Sequence, residues 1–425
     1  MPSRQSFAGW WVPSLRYRLA MQVSSGMKLS RRERHVLLEA ERRFQSLQPD
    51  RLRWRWLQDV PIAPIEELLR RHAGGSVWRG GPQTPPEQPC TALEQFRGDE
   101  QVSKPARRLQ DWRSWPLLQP TVAWCGPLCH HYGHQLTDFG SRVLLASLHP
   151  RATALLFLHP QPGIQVRDLP AWQQAWIRYL NPAEKPVLIH HGGVRARRLL
   201  AIPLQQRLGR PPTLTLLKAL SWRSRSLAGP ADDQLLVLSR QQHCGATPAG
   251  ALKGSIAGAA AFEALLASRG ARVLAPETLP LEEQLQLLHR ARRIVIPEGS
   301  AMHTLELLGH DRWKQVVVIA RRPLWPDQQW PLKLRFPQLV WIDAVQALHW
   351  QPPANPRVKG MAVLDWQPVL AQLADHLGLD FNATDGHQLN AAAAEQLQIL
   401  QQAVPGLTYK TRRCLDRQPA TIGGW

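Results

Sequence analysis

The feature that most constrains the fold is an alternation of short apolar runs and helical segments between residues 233 and 320. The predicted strands cover residues 235–239, 271–275, 293–297 and 315–320, and the predicted helices cover residues 255–268, 280–290 and 301–308. In the helix at 280–290, Leu281, Leu285 and Leu288 recur at i, i+4 and i+7. Strands that alternate with helices of this length predict a parallel sheet with right-handed crossovers.

A second, weaker alternation lies between residues 121 and 225. It predicts strands at 122–125, 154–158 and 187–190, and helices at 136–148 and 171–180. Two such runs in sequence predict an α/β protein in which two Rossmann-like domains face each other across a cleft. In open parallel sheets, ligands bind beyond the carboxyl ends of the strands and often between domains.

A chain of 425 residues is too long for one hydrophobic core. We expect an α-rich N-terminal extension, a first Rossmann-like domain on the acceptor side, a second domain that binds the donor, and a C-terminal helical segment. These parts cover residues 1–115, 116–228, 229–350 and 351–425. Helical periodicity is predicted at 31–47, 364–377 and 388–403.

The net charge of +20 indicates a polyanionic partner, but the basic residues are dispersed and form no Lys/Arg block. Nucleic acid is therefore not the expected partner. Phosphate-bearing substrates, or peripheral contact with an anionic membrane surface, fit better.

Three features bear on the compartment. No apolar run approaches the ~20 residues of a membrane span, the N-terminus lacks a continuous apolar signal region, and five scattered cysteines form no disulfide framework. We expect a cytoplasmic protein, at most peripheral to the inner face of the membrane.

The first motif with chemical potential is CGPLCHHYGH at residues 125–134, which continues to Asp138 and Arg142. Its cysteines and histidines could bind zinc, but they lack the two separated ligand pairs of structural zinc sites. His134, Asp138 and Arg142 follow at i, i+4 and i+8, so a helix would align them on one exposed face as a proton-transfer site. A surface Asp–Arg pair with a capping histidine would show the same spacing.

The second motif is PEGSAMHTLE at residues 297–306. A strand that ends in the turn Glu298-Gly299-Ser300 before a helix would direct backbone N–H groups and the positive helix end at a diphosphate. Glu298 and Glu306, about two helical turns apart, could both reach a sugar nucleotide. Alternatively, Ser300 only caps the helix and Glu306 faces solvent.

A third signal is Arg240, which follows directly on a predicted strand. At the carboxyl end of a parallel strand, an arginine is placed for bidentate phosphate binding.

In order and spacing, these pieces resemble glycosyltransferase family 61, in particular its bacterial branch. The segment HYGHQLTD followed by Arg142 resembles the family motif N-Y-x-H-W-L-x-D-x-x-x-R, with Gln135 in place of the tryptophan. The segments LSR at 238–240, RVLAPETLPLEEQ at 272–284 and IVIPEGSAMH at 294–303 resemble the second half of the family, with Glu298 where the family usually has histidine.

The resemblance implies a GT-B architecture. It also implies transfer from a nucleotide-sugar, which we take to be UDP-linked, to a hydroxyl of a glycan or lipid-linked acceptor. The transfer would invert the anomeric carbon. It implies no cofactor and no metal, so protein cations and helix ends would neutralise the departing diphosphate.

The residue roles that follow are a general base, Asp138 first and His134 second, with Arg142 in support. Arg240 and the amides of Gly299 and Ser300 would bind the diphosphate. His303 would lie near the nucleotide, Glu306 would bind the ribose, and Glu298 would lie near the donor sugar.

Other interpretations stay open at this point. The E-x₇-E spacing also occurs in retaining GT-B enzymes, so stereochemistry is undecided. The departures at Gln135 and Glu298 would also fit a catalytically silent module that binds a glycan or a protein, and the charge would fit a protein associated with nucleic acid.

Overall fold

The computed structural model describes residues 54–416 apart from residues 66–67, 71–75, 86, 107–108, 110, 228, 246, 324–328 and 357–358. The predicted helix at 31–47 lies outside the described residues.

The described strands are numbered here in chain order. They are β1 Arg55–Ala63, β2 Leu68–Arg70, β3 Ser76–Arg79, β4 Gly81–Pro82, β5 Phe96–Arg97, β6 Glu100–Gln101, β7 Ser103–Lys104, β8 Leu117–Leu118, β9 Val122–Pro127, β10 Ala154–Leu158, β11 Val187–His190, β12 Val194–Ala201, β13 Asp232–Leu238, β14 Arg272–Leu274, β15 Ala291–Pro297, β16 Gln315–Ile319, β17 Gln338–Ile342, β18 Val345–Trp350, β19 Met361–Leu364 and β20 Thr408–Thr411.

The described α-helices are Tyr132–His134, Val143–Leu148, Ala171–Leu180, Leu214–Ser224, Gln241–Cys244, Pro248–Ala251, Ala259–Ser268, Leu281–Arg290, Trp330–Lys333, Trp366–Leu377, Asp385–Ala403 and Arg412–Asp416. Two other helical segments concern the site: a π-helical turn at Gln135–Phe139 and a 3₁₀ helix at Ser300–Leu307.

The second predicted parallel sheet is confirmed. It has five strands in the order β14-β13-β15-β16-β17, all parallel. In chain order this is 2-1-3-4-5, the doubly wound arrangement in which the strand order reverses between the first and third strands. The switch point therefore lies between β13 and β15.

The first sheet is mixed. Its path is β11-β10-β9-β12-β1-β4, with β8 beside β12. β9, β10 and β11 run parallel to one another, as predicted. β12 was not predicted; it runs parallel to β9, whereas β1 runs antiparallel to β12 and to β4. The chain passes from β9 to β10 on one side and returns through β12 on the other, so the switch point lies between β9 and β12.

The expected α-rich character of residues 1–115 is wrong for the part that the structure describes. The described residues between 54 and 104 form strands, turns and one 3₁₀ turn, Thr91–Leu93. β1 pairs with β12 from Arg55 opposite Ala201 to Ile62 opposite Val194. Ile62 and Ala63 are fully buried because β1 lies inside the sheet. Its partner is about 140 residues away in sequence, so local periodicity could not reveal the pairing.

The two C-terminal helices are confirmed at Trp366–Leu377 and Asp385–Ala403. The same segment also contributes β19 and β20, which flank β18 in a small antiparallel sheet. These helices cover one face of the second sheet, where Trp366, Val369 and Leu373 are fully buried.

One hydrophobic core joins the two main sheets. It contains side chains of β9 and β10, such as Ala123 and Phe157, together with Ile294 and Val316 of the second sheet. Because the sheets share this core, the loops at their carboxyl ends are held in fixed positions. In the described part of the chain, no helix combines the length and apolar character needed to cross a membrane.

Candidate functional site

Loops that follow strands of both main sheets line one cavity of about 220 Å³. The first sheet contributes His131, Gly133, His134 and Leu208, from the loops after β9 and β12. These are the two strands that flank the switch point of that sheet.

The second sheet supplies the rest of the cavity wall. Its lining residues are Arg240, His243, Lys253, Gly299, Ser300, Met302, His303, Arg321 and Arg322. Arg240 follows β13 and Gly299 follows β15, so the switch point of the second sheet opens into the same cavity. The structure therefore brings together His134, Arg240, Gly299, Ser300 and His303, five of the nine predicted site residues.

His134 and Asp138 form a hydrogen-bonded pair in which only the histidine reaches the cavity. Nδ1 of His134 lies 3.0 Å from Oδ2 of Asp138, and the two side chains are 13% and 0% exposed. The other carboxylate oxygen, Oδ1, accepts hydrogen bonds from the backbone N–H of Gly98 (3.1 Å) and of Leu208 (2.8 Å). Asp138 therefore lies behind His134 and orients it.

The protonation state of His134 follows from these contacts. A carboxylate that already accepts two N–H bonds is an acceptor, so it takes the Nδ1–H of His134 and leaves Nε2 with a free lone pair. The pKa of His134 is lowered because burial, which lowers it, outweighs the hydrogen bond and charge of Asp138, which raise it. The imidazole is therefore held as a neutral, oriented base.

The prediction that Arg142 shares an exposed face with His134 and Asp138 is wrong. The π-helical turn Gln135–Phe139 interrupts the α-helix, so residue 142 does not lie two α-helical turns after residue 134. Arg142 is fully buried, donates to the carbonyl of Glu94 (2.9 Å), and has its pKa lowered to about 9 by burial. Arg142 does not line the cavity.

The cavity wall of the second sheet is strongly cationic. Arg240, Lys253, Arg321 and Arg322 all line it, and no lining residue is acidic. Burial, and then the nearby charge of Arg321, lower the pKa of Arg240. Like charges held together in this way are relieved by a bound anion, so the wall is suited to a diphosphate.

Gly299 is needed for the position of Arg240. A Cβ atom on residue 299 would lie 1.9 Å from Nη1 of Arg240, so the guanidinium packs directly over the glycine backbone. The N-cap position of the 3₁₀ helix is Gly299, and Ser300 is its first residue, so the alternative that Ser300 serves only as the cap is not supported.

Glu298 does not reach the cavity, contrary to its predicted place beside the donor sugar. It is buried, its Oε1 forms an ion pair with Nε of Arg322, and its Oε2 accepts from the backbone N–H of Arg321 (3.3 Å). Nε of Arg321 also donates to the Glu298 carbonyl (3.2 Å). Glu298 thus holds the two arginines that line the cavity.

His303 and Glu306 form a second histidine–carboxylate pair. Nδ1 of His303 lies 2.6 Å from Oε1 of Glu306 because a 3₁₀ helix places residues i and i+3 directly above one another. Glu306 is 3% exposed and also accepts a hydrogen bond from Gln206. His303 is the member that lines the cavity, and this arrangement does not support the predicted contact of Glu306 with a ribose.

Contacts between the sheets fix the two histidine pairs relative to each other. A Cβ atom on Gly133 would lie 2.8 Å from Cδ2 of His303, so the glycine permits this approach. Beside it, the Tyr132 hydroxyl bonds Oγ1 of Thr304 at 2.7 Å.

The zinc alternative finds no support in the geometry. Among the described residues, no group of three or more His, Cys, Asp or Glu side chains is arranged to hold a metal ion. Cys125 is fully buried, and burial raises the pKa of its thiol to about 12. His130 points to His159, with ring centroids 5.6 Å apart.

Sequence reasoning missed Arg321 and Arg322, although the signal was present. They follow β16 directly, just as Arg240 follows β13. The departure at Gln135 also has a structural role: its side-chain oxygen accepts from the backbone N–H of Cys129 (2.6 Å) and secures the loop after β9.

Part of the chain is similar to a known protein family. Residues 132–311 match the model of the family described as glycosyltransferase 61. This segment is less than half of the chain, and the match is to the family that the motifs resemble, which supports a glycosyltransferase activity in general. A search of curated proteins finds no match.

Proposed function

We propose that this protein transfers a sugar from a nucleotide-sugar, specifically a UDP-sugar, to a hydroxyl of a glycan or lipid-linked acceptor. The observation that carries the proposal is the single cavity in which a cationic wall from one sheet faces a His134–Asp138 pair from the other.

The donor diphosphate is assigned to the cationic wall. Arg240, Arg321, Arg322 and Lys253 converge on a small cavity whose wall has no carboxylate. Pockets for whole drug-sized ligands are commonly ~300–1,000 Å³, whereas this one is about 220 Å³. It is sized for the diphosphate and the reacting sugar, with the nucleoside beyond its rim. The cations would offset the charge that develops on the leaving diphosphate.

His134, rather than Asp138, is assigned as the general base. Its Nε2 would accept the proton of the acceptor hydroxyl while that oxygen attacks the anomeric carbon and the bond from this carbon to the diphosphate oxygen breaks. Asp138 orients the imidazole and stabilises the imidazolium that forms. Direct attack of this kind inverts the anomeric carbon.

His303 is assigned to the diphosphate side. Glu306 accepts the proton of its Nδ1, so Nε2 is the atom available to a ligand. In the imidazolium form, this histidine would donate to a phosphate oxygen.

The wider context follows the same proposal. We propose a GT-B arrangement in which the first sheet presents the acceptor and the second holds the donor, without a metal or cofactor. The site would work in the cytoplasm, and the basic surface would allow peripheral contact with an anionic membrane.

The direct test is release of UDP from a panel of UDP-sugars, measured for wild type and Asp138→Asn. We expect slow hydrolysis or transfer with one donor and its loss in the variant. Donor binding without any turnover would support the silent-module alternative instead.

A pH profile tests the base. His134 acts only when neutral, and burial lowers its pKa from 6.5. We therefore expect kcat/KM, which reports the free enzyme, to fall towards acid pH with a midpoint below 6.5. An acid limb with its midpoint above pH 6.5 would contradict the assignment.

Replacing Gly299 with alanine should weaken UDP binding without unfolding the protein. The new methyl would displace the flexible guanidinium of Arg240. Loss of its charge-assisted hydrogen bonds to the diphosphate would lower the affinity for UDP by about 10- to 100-fold. Calorimetric titration with UDP measures this loss, and thermal unfolding verifies the fold.

Gly229→Ala is the matched control. Its methyl would lie 2.4 Å from Nε of Arg290, so it also displaces an arginine, but one that does not line the proposed donor cavity. Equal weakening of UDP binding by both variants would contradict the role of Arg240.

A further inference from the structure

A second cavity, larger than the first, lies at the amino-terminal ends of strands of the five-stranded sheet. Its volume is about 490 Å³, and it is lined by residues that precede strands: Ala231 before β13, Arg290 before β15 and Lys314 before β16. In a parallel sheet, all strands begin at one end of the sheet and finish at the other, so their amino ends lie opposite their carboxyl ends. The two cavities are therefore separate sites.

The second cavity carries a surplus of positive charge. Arg290, Arg292 and Lys314 line it, together with one carboxylate, Asp311. Buried Lys314 offsets that carboxylate, since Nζ lies 3.8 Å from Oδ2 of Asp311 while it donates to two backbone carbonyls. No other lining residue is acidic, so the two arginines give the cavity wall its surplus positive charge.

Neither arginine is strongly committed to a protein partner. Arg292 pairs with Asp233 at 3.3 Å, but the two side chains are 59% and 76% exposed, and such pairs contribute little. Nε of Arg290 is buried and has no hydrogen-bond partner among the described residues. A buried guanidinium N–H without a partner favours a ligand that supplies an acceptor.

Trp313 adds a flat apolar platform to this cationic cavity. It is 68% exposed, more than any other large hydrophobic side chain that the structure describes. Its backbone N–H donates to Oδ1 of Asp311 (3.0 Å), which fixes the turn, and the guanidinium of Arg312 lies 4.5 Å from its ring centroid. An exposed aromatic face beside cations is suited to a ring that carries an acidic group.

We propose that this second cavity binds an anionic saccharide, with the sugar ring stacked on Trp313 and its carboxylate, sulfate or phosphate held by Arg290 and Arg292. A membrane surface fits less well because the site is concave, and its volume lies in the range of discrete ligand pockets. The site is independent of the proposed transfer reaction and would hold a charged glycan at a distance from the first cavity.

Binding of trigalacturonic acid to the full chain, measured by calorimetry in the presence of saturating UDP, tests the proposal. We expect trigalacturonic acid to bind with at least about ten-fold higher affinity than maltotriose, which is uncharged. Trp313→Ala and Arg290→Gln should each weaken it by about ten-fold. Trp222→Ala, an exposed tryptophan (46%) on the helix Leu214–Ser224, should leave it unchanged.

Because the readout is binding, the result does not depend on turnover. The proposal is overturned if trigalacturonic acid does not bind, if inorganic phosphate binds as tightly, or if the variants bind it like wild type. It is likewise overturned if Trp313→Ala loses affinity only for phosphatidylglycerol vesicles, which would make the cavity a membrane contact. Thermal unfolding of each variant verifies that the fold is intact.

Discussion

Replacement of His134 by glutamine is expected to lower kcat for sugar transfer by about 10²- to 10⁴-fold, the usual contribution of a positioned general base. Glutamine preserves hydrogen bonding towards Asp138 but offers no basic nitrogen to the acceptor. UDP binding should change little, since the cationic wall stays intact. Single-turnover rates together with UDP titration separate these two effects.

His130→Gln is the control for this prediction. His130 also follows β9, but it is exposed and does not line the first cavity. We expect its kcat to stay near that of wild type. A His134→Gln enzyme that keeps full activity would exclude His134 as the base.

Asp138→Asn should cause a loss of similar size for a different reason. The asparagine amide would donate to Nδ1 of His134 and so shift the proton to Nε2, the atom that must accept it. The same substitution in a serine-protease triad acts through the wrong tautomer.

Glu298→Gln is expected to lower the free energy of unfolding by about 1.5–3 kcal/mol, the usual contribution of a hydrogen bond to a charged group, because it removes the buried carboxylate charge that pairs with Arg322. Arg321 and Arg322 are only 8% and 5% exposed, and Glu298 bonds both. Chemical denaturation measures the change.

Glu282→Gln serves as the comparison. Glu282 pairs with Arg178 at 2.6 Å, but the side chains are 42% and 63% exposed, so we expect a change within about 1 kcal/mol. If both variants lose the same free energy, the special role of the buried pair is refuted.

The parallel strands of the second sheet were predictable because their signal is local. Four apolar runs separated by helical spacing give β13, β14, β15 and β16 within a few residues. The place of β1 was not predictable, because its partner β12 lies far along the chain and nothing near residues 55–63 indicates it.

The site was partly predictable for a related reason. A cation after a strand and a small-residue turn before a helix indicate which groups lie at the ligand edge, and Arg240 and Gly299 lie there. Sequence spacing does not show which member of a histidine–carboxylate pair faces the ligand. For this reason the sequence alone favours Asp138 over His134 as the general base, whereas in the structure only His134 reaches the cavity. Glu298 and Glu306 were misplaced because sequence does not show that both are buried in ion or hydrogen-bonded pairs.

The backbone N–H of Gly98, in the turn between β5 and β6, donates to Asp138, and Gln95 bonds the Asp138 carbonyl at 2.8 Å. These groups lie outside residues 132–311, the part of the chain that matches the family. Natural or engineered changes in this turn would therefore retune the basicity of His134 while every signature residue stays the same. Relatives with identical motifs would then differ in working pH according to a segment that motif comparison ignores.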